Sequence, residues 1–185
     1  WALALRNPFT FAFQPGTGRM FINDVGQNTW EEINEGSGGT NHGWPSAEGN
    51  AGTPPSGPGS YRAPLYVYSH GFGPFQGFAI TGGAFYNPPA QLFPNEYAGD
   101  YFFADFVSDF INVRDTTTGD VTEFATGANG PVDLRVAPDG SLLYLAHNLG
   151  QVLRVSHTTP VNTPPTISRI TDQQMPVNGA HAIGF

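Results

Sequence analysis

Large apolar and smaller side chains alternate at period two through Phe9-Thr10-Phe11-Ala12-Phe13, the run breaks at Pro15-Gly16-Thr17-Gly18, and a second run continues as Arg19-Met20-Phe21-Ile22-Asn23-Asp24. Successive side chains of a strand face opposite ways, and Gly and Pro supply tight turns, so this pattern predicts a strand–turn–strand. The unit recurs as Leu134-Arg135-Val136, a turn at Pro138-Asp139-Gly140, and Leu142-Leu143-Tyr144-Leu145. A third copy runs from Ala84-Phe85-Tyr86 to Tyr101-Phe102-Phe103-Ala104-Asp105 with a longer connection through Pro88, Pro89 and Pro94. Gly18, Gly99 and Gly140 occupy equivalent positions after the turn, spaced by 81 and 41 residues. No helix is predicted: residues 29–35 offer apolar side chains only at Trp30 and Ile33 and read as a loop entering a strand. After His157 the segment 158–165, rich in Thr and Pro, reads as a stiff polar linker. Residues 166–170 and 180–185 then alternate like two strands about a turn at Asn178-Gly179.

Composition narrows the class. Gly and Pro together make up 41 of 185 residues, which suits many short strands joined by turns. Cysteine is absent, so neither disulfides nor thiolate metal sites are available. The net charge is −8, with seven Arg and no Lys, which argues against nucleic acid or an anionic membrane as partner. No apolar stretch approaches the length of a membrane span. No Gly-x-Ser-x-Gly, Walker or zinc spacing occurs. The chain opens on Trp1 without initiator Met or signal-like segment, and it is expected to be the C-terminal part of a longer protein.

The order Leu5-Arg6-Asn7-Pro8, Asp24-Val25-Gly26-Gln27, Glu31-Glu32-Ile33-Asn34 and Asn41-His42-Gly43-Trp44-Pro45 resembles the central part of the glucose/sorbosone dehydrogenase family. The resemblance continues through Ile80-Thr81-Gly82-Gly83-Ala84-Phe85-Tyr86, Gly99-Asp100-Tyr101 and Ala137-Pro138-Asp139-Gly140, and covers roughly residues 1–157. It implies an all-β fold: part of a six-bladed β-propeller, two to three blades of it, with blade spacings in the range of propeller repeats. Residues 1–157 are then the propeller part, 158–165 the linker and 166–185 the truncated start of an immunoglobulin- or cadherin-like sandwich. It also implies a secreted or periplasmic protein that oxidises an aldose or polyol with pyrroloquinoline quinone (PQQ) and calcium, on a catalytic His lying upstream of this chain.

The resemblance assigns Arg6 and Asn7 to cofactor contact. A guanidinium offers paired donors to carboxylate or quinone oxygens and stacks on flat rings. Gly26 and Gln27 take the place of two carbonyls that hold calcium beneath the cofactor, with Gln27 standing where the family has Pro. Glu32 and the main-chain oxygen of His42 correspond to a second calcium position, and oxygen-rich ligation suits that hard ion. His42, His70, His147, His157 and His181 lie outside any motif for the base, so no catalytic residue is assigned. Val107 falls where the family has a Lys, and Gly130 and Val132 where it has two Arg. A tricarboxylate facing Val107 loses charge pairing of roughly a few kcal/mol in a partly dry pocket. The alternative reading is therefore a propeller without cofactor that binds glycans or proteins. A third is a scaffold for the C-terminal domain.

Overall fold

The structure, a computed structural model, describes residues 1–73, 75–157 and 166–169. Strands β1 (Pro8–Phe13), β2 (Met20–Asp24) and β3 (Trp30–Gly36) form an antiparallel meander, so the stretch around Trp30 and Ile33 is itself a strand. Four two-residue strands follow. Of these, β4 (Thr40–Asn41) pairs in parallel with β7 (Ser60–Tyr61), and β5 (Ala47–Glu48) pairs with β6 (Ala51–Gly52). The first sheet is then completed by β8 (Tyr66–Ser69) on β3. The second sheet is the meander β9 (Ile80–Phe85), β10 (Tyr101–Asp105), β11 (Phe110–Arg114) and β12 (Val121–Thr126). The third is β13 (Pro131–Val136), β14 (Leu142–Ala146), β15 (Gln151–Ser156) and β16 (Thr166–Arg169).

All three hairpins expected from the alternation are present. Thr166–Arg169, assigned from sequence to a separate sandwich, pairs with β15 as the fourth strand of the third sheet. The linker 158–165 and residues 170–185, where the rest of that sandwich was expected, lie outside the described residues.

The sheets pack face to face, and their first strands lie side by side. Thr81 Oγ1 donates to the Pro131 carbonyl at 2.6 Å, so β9 and β13 begin together. Asn23, opposite Thr10 of β1, donates to the carbonyls of Thr81 and Gly82, while Gln14 just beyond β1 reaches the Gly99 carbonyl just beyond Tyr86. Hence β1, β9 and β13 run in one direction, which is the blade arrangement of a β-propeller. Phe21, Ile33, Tyr68, Tyr101 and Phe103 fill the space between sheets one and two. Between sheets two and three, Tyr86, Phe93, Phe102, Leu134 and Tyr144 do the same. Phe9, Phe11 and Phe13 project from the other face of β1 and remain exposed.

Because the inner strands share a direction, their starts and the turns 25–29, 106–109 and 147–150 fall at one end of the assembly. The hairpin turns 14–19 and 137–141 fall at the other. At that second end Tyr86, fully buried, ties sheet two to sheet three: its hydroxyl donates to the Gly140 carbonyl and accepts from the amides of Leu92 and Phe93. Tyr86→Phe leaves three backbone groups, two of them buried, short of a partner. It should lower the unfolding free energy by about 1–3 kcal/mol in equilibrium denaturation. A loss below about 0.5 kcal/mol, within the range of ordinary surface changes, would contradict this role for the hydroxyl.

Candidate functional site

The end where the inner strands start collects most of the residues singled out by sequence. Asp24 closes β2 directly opposite Pro8, and its buried carboxylate accepts the Asn7 amide at 2.6 Å and the Arg6 amide at 2.9 Å. This fixes the backbone of the Arg6-Asn7 pair as it enters β1. The Arg6 guanidinium donates to the carbonyls of Val25 (2.9 Å) and Gly26 (2.7 Å) and lies 5.6 Å from the centre of the Trp44 ring. Gly26 is buried, and a Cβ there would lie 1.5 Å from the Trp30 carbonyl oxygen, so no other residue fits this turn. The Gln27 amide donates to Glu48 at 2.5 Å. Arg6, Asn7, Gly26 and Gln27 therefore form one cluster, with the side chains of Asn7 and Gln27 exposed at its surface.

Glu32 joins this cluster through the sheet register, being the cross-strand partner of Asp24. Its carboxylate accepts the Gly49 amide (2.5 Å) and the Asn34 side-chain amide (2.8 Å); none of its hydrogen bonds goes to His42. Asn34, fully buried, thereby leaves its Oδ1 without a partner. His42 sits just after β4, its amide bonded to the Leu3 carbonyl and its ring 3.3 Å from Thr40 Oγ1. Burial pushes the His42 imidazole below its ordinary value. Among the described residues no three His, Asp or Glu side chains converge into a group able to hold a metal.

Burial raises the Asp24 carboxyl; the amides of Arg6 and Asn7 and the Arg6 charge pull against it, while Glu48 adds to it. Burial likewise raises Glu32, opposed by Asn34 and Gly49 and reinforced by Asp24 and Glu48. Asp24, Glu32 and Glu48 thus feel one another's charge without converging on one point, and Arg6 is the cation that acts on Asp24.

Glu31 and Glu32, adjacent in β3, point to opposite faces of the first sheet. Both are buried, because β3 lies inside the first sheet and each of its faces is covered. Glu31, pointing to the second sheet, accepts the Ile80 amide at 2.9 Å and binds the His70 ring at 2.7 Å. Asp105, also buried, accepts the Tyr68 hydroxyl and the amides of Phe78, Ala79, Val107 and Ser108. These carboxylates clamp the connection from β8 to β9; only their placement at a strand start or end hinted at it. Val107, about half exposed, lies in the turn after β10, Gly130 precedes β13 and Val132 lies within it. None of them brings a charge to this end.

The sequence model of the family described as Glucose / Sorbosone dehydrogenase matches residues 1–155. Over 117 residues the chain is 35% identical to HIPL1 protein of Arabidopsis thaliana, covering 57% of this chain and 16% of that protein. It is 29% identical over 159 residues to HIPL2 protein of the same plant, covering 76% and 22%. Among solved structures, the apo-form of the soluble aldose sugar dehydrogenase from Escherichia coli superposes with a TM-score of 0.61 at 25% identity, over 78% of this chain and 43% of that one. The PQQ-bound aldose sugar dehydrogenase from Streptomyces coelicolor shares the fold, with a TM-score of 0.55 at 21% identity over 90% and 43%. The chain spans well under half the length of each.

The raised Glu32 carboxyl sets a sign for pH dependence. A folded-state value above the ordinary 4.5 means that the folded protein keeps this proton to higher pH than the unfolded chain. The stability Glu32 contributes is fully present below that ordinary value and is lost as the pH rises through the folded one. In calcium-free buffer, Glu32→Gln should therefore melt closer to, or above, the parent as the pH is raised from about 4.5 towards neutrality. Parallel Tm-against-pH curves for the two proteins would contradict the assignment.

Proposed function

Since the chain belongs to the glucose/sorbosone dehydrogenase family, we propose that it is part of a secreted or periplasmic PQQ- and calcium-dependent enzyme that oxidises an aldose or polyol at a CH–OH group. The observation that carries this reading is the Arg6-Asn7 pair, pinned by Asp24 at the end where the three inner strands begin. In this reading Arg6 and Asn7 line one wall of the cofactor site. PQQ, when bound, supplies the acceptor for the hydride leaving the sugar carbon. No His of this chain occupies a motif matching the family's base, so the proton acceptor is assigned to the longer protein upstream of residue 1.

The two calcium positions differ in how well these residues suit them. Around Glu32 the fit is better: the carboxylate is buried, and the unpartnered Asn34 Oδ1 of the residue that bonds it is a further oxygen for a hard cation. At Gly26 and Gln27 the fit is poorer, because the Arg6 guanidinium already lies on the Gly26 carbonyl, where it would repel an incoming cation. We therefore assign calcium first to Glu32, with Asn34 and the His42 carbonyl as its companions. Calcium at neutral pH should raise the Tm of the parent and leave that of Glu32→Gln within about 1 °C, since binding to the folded form alone stabilises by mass action. Equal shifts in both proteins would move the ion elsewhere.

The uncharged residues Val107, Gly130 and Val132, at positions where the family has cations, favour a second reading, a propeller that binds glycans or proteins without cofactor. The two readings separate in a titration with PQQ and calcium, followed by PQQ absorbance. The dehydrogenase reading predicts measurable binding, about 100-fold weaker than in the Escherichia coli aldose sugar dehydrogenase, and an improvement of about tenfold on Val107→Lys. No binding in either parent or variant would leave the second reading standing. Tight binding by the parent, unchanged by the added Lys, would show that the cofactor's carboxylates are paired by other residues.

A further inference from the structure

The Arg6 guanidinium is held by one nitrogen. Both of its hydrogen bonds, to the carbonyls of Val25 (2.9 Å) and Gly26 (2.7 Å), come from Nη1. Among the described residues Nε and Nη2 have no hydrogen-bond partner, and together they form the edge of a guanidinium that pairs side-on with a carboxylate. Arg6 is exposed, so that edge is open to a ligand.

The Gly26 carbonyl and the Gln27 N–H belong to one peptide group, which is planar and trans. Its oxygen points to Arg6, and its N–H therefore points the opposite way, where the Glu48 carboxylate accepts it at 2.5 Å. Glycine has no Cβ to restrain the rotation of that plane, so its orientation is set by what grips its two ends. Turned over, the plane would set its oxygen against Glu48 and its N–H against Arg6, which is repulsive at both ends. Glu48 is itself fixed. It pairs with Ala51 across the β5–β6 hairpin, while the Ala47 amide before it donates to the Gly43 carbonyl at 2.9 Å and the Gly49 amide after it donates to Glu32 at 2.5 Å.

We infer that Glu48 is a positioning residue for Arg6: through the Gly26–Gln27 peptide it holds the guanidinium by Nη1, so that the edge of Nε and Nη2 is offered to a carboxylate of the ligand. Asp24 fixes the root of Arg6 and Glu48 fixes its tip. The relay belongs to the protein alone, and only the identity of the ligand, PQQ, rests on the dehydrogenase reading. The charge of Glu48 opposes an anion, whereas its hydrogen bond prepares the site for one. These two effects have opposite signs, which separates them by experiment.

Three variants divide the effects. Glu48→Gln keeps an oxygen that can accept the Gln27 amide, Glu48→Asp keeps the charge but draws it back by one methylene, and Glu48→Ala removes both. In isotopically labelled protein without PQQ or calcium, the Arg6 Nε–H and Gln27 amide resonances should stay near those of the parent in Glu48→Gln. In Glu48→Asp and Glu48→Ala they should move to the values of mobile, solvent-exposed groups. In a Gln27→Pro background, which has no amide to hold, Glu48→Ala should move the Arg6 resonance no further. PQQ titrations followed by absorbance should show affinity weakened about tenfold by Glu48→Asp and Glu48→Ala, and within about twofold of the parent, or tighter, for Glu48→Gln. Arg6 resonances indifferent to Glu48→Asp and Glu48→Ala overturn the proposal, as does PQQ binding that tightens in Glu48→Ala, the result expected from charge alone. If neither the parent nor any variant binds PQQ, the dehydrogenase reading fails, and the Arg6 resonances decide for or against the relay by themselves.

Discussion

β9 runs so close to its neighbours that side chains are excluded at its centre. A Cβ on Gly82 would lie 2.8 Å from the Leu134 backbone nitrogen, and one on Gly83 would lie 1.9 Å from the Tyr101 hydroxyl. The two glycines let the inner strand of sheet two approach the backbone of β13 on one side and the Tyr101–Asn23 hydrogen bond on the other. That close approach aligns the three inner strands. From this alignment follows the division of the molecule into an end where these strands begin and an end where their hairpins turn.

Strand starts leave backbone amides without ladder partners, and here side chains of the same or the neighbouring sheet take them up. Carboxylates supply the acceptors: Asp24 for Arg6 and Asn7, Glu31 for Ile80, Asp105 for Phe78 and Ala79, and Asp109 for Gly130. A buried amide without a partner costs as much as a lost hydrogen bond, so these acids are structural first. Their concentration also leaves this end acidic, with Arg6 as the counter-charge beside Asp24. The same packing that orders the blades thus leaves buried carboxylates beside a single guanidinium at this end.

Much of this was legible in the sequence. Period-two alternation around Pro15-Gly16 and Pro138-Asp139-Gly140 marks hairpins wherever one face of a strand is buried, and the structure has them. The glycine pair in Ile80–Phe85 and the Arg6-Asn7 and Glu32 positions were readable as motifs. The burial of Glu31 was not, because a strand covered on both faces shows no alternation and its charges then look solvated. Nor was the fourth strand of the third sheet: the Pro-rich stretch before Thr166 reads as a domain boundary, and only pairing over a long sequence gap reveals the return to β15.

The central claim is that ligand chemistry belongs to the end where β1, β9 and β13 begin. Amide hydrogen exchange of the protein with and without calcium and PQQ tests it most directly, since binding slows exchange in the elements that it holds closed. Slower exchange is expected at Asn7, Gly26, Gln27 and Gly49, with the hairpin turns 14–19 and 137–141 unchanged. Protection confined to those hairpin turns, or no change at either end with both ligands in excess, would contradict the account.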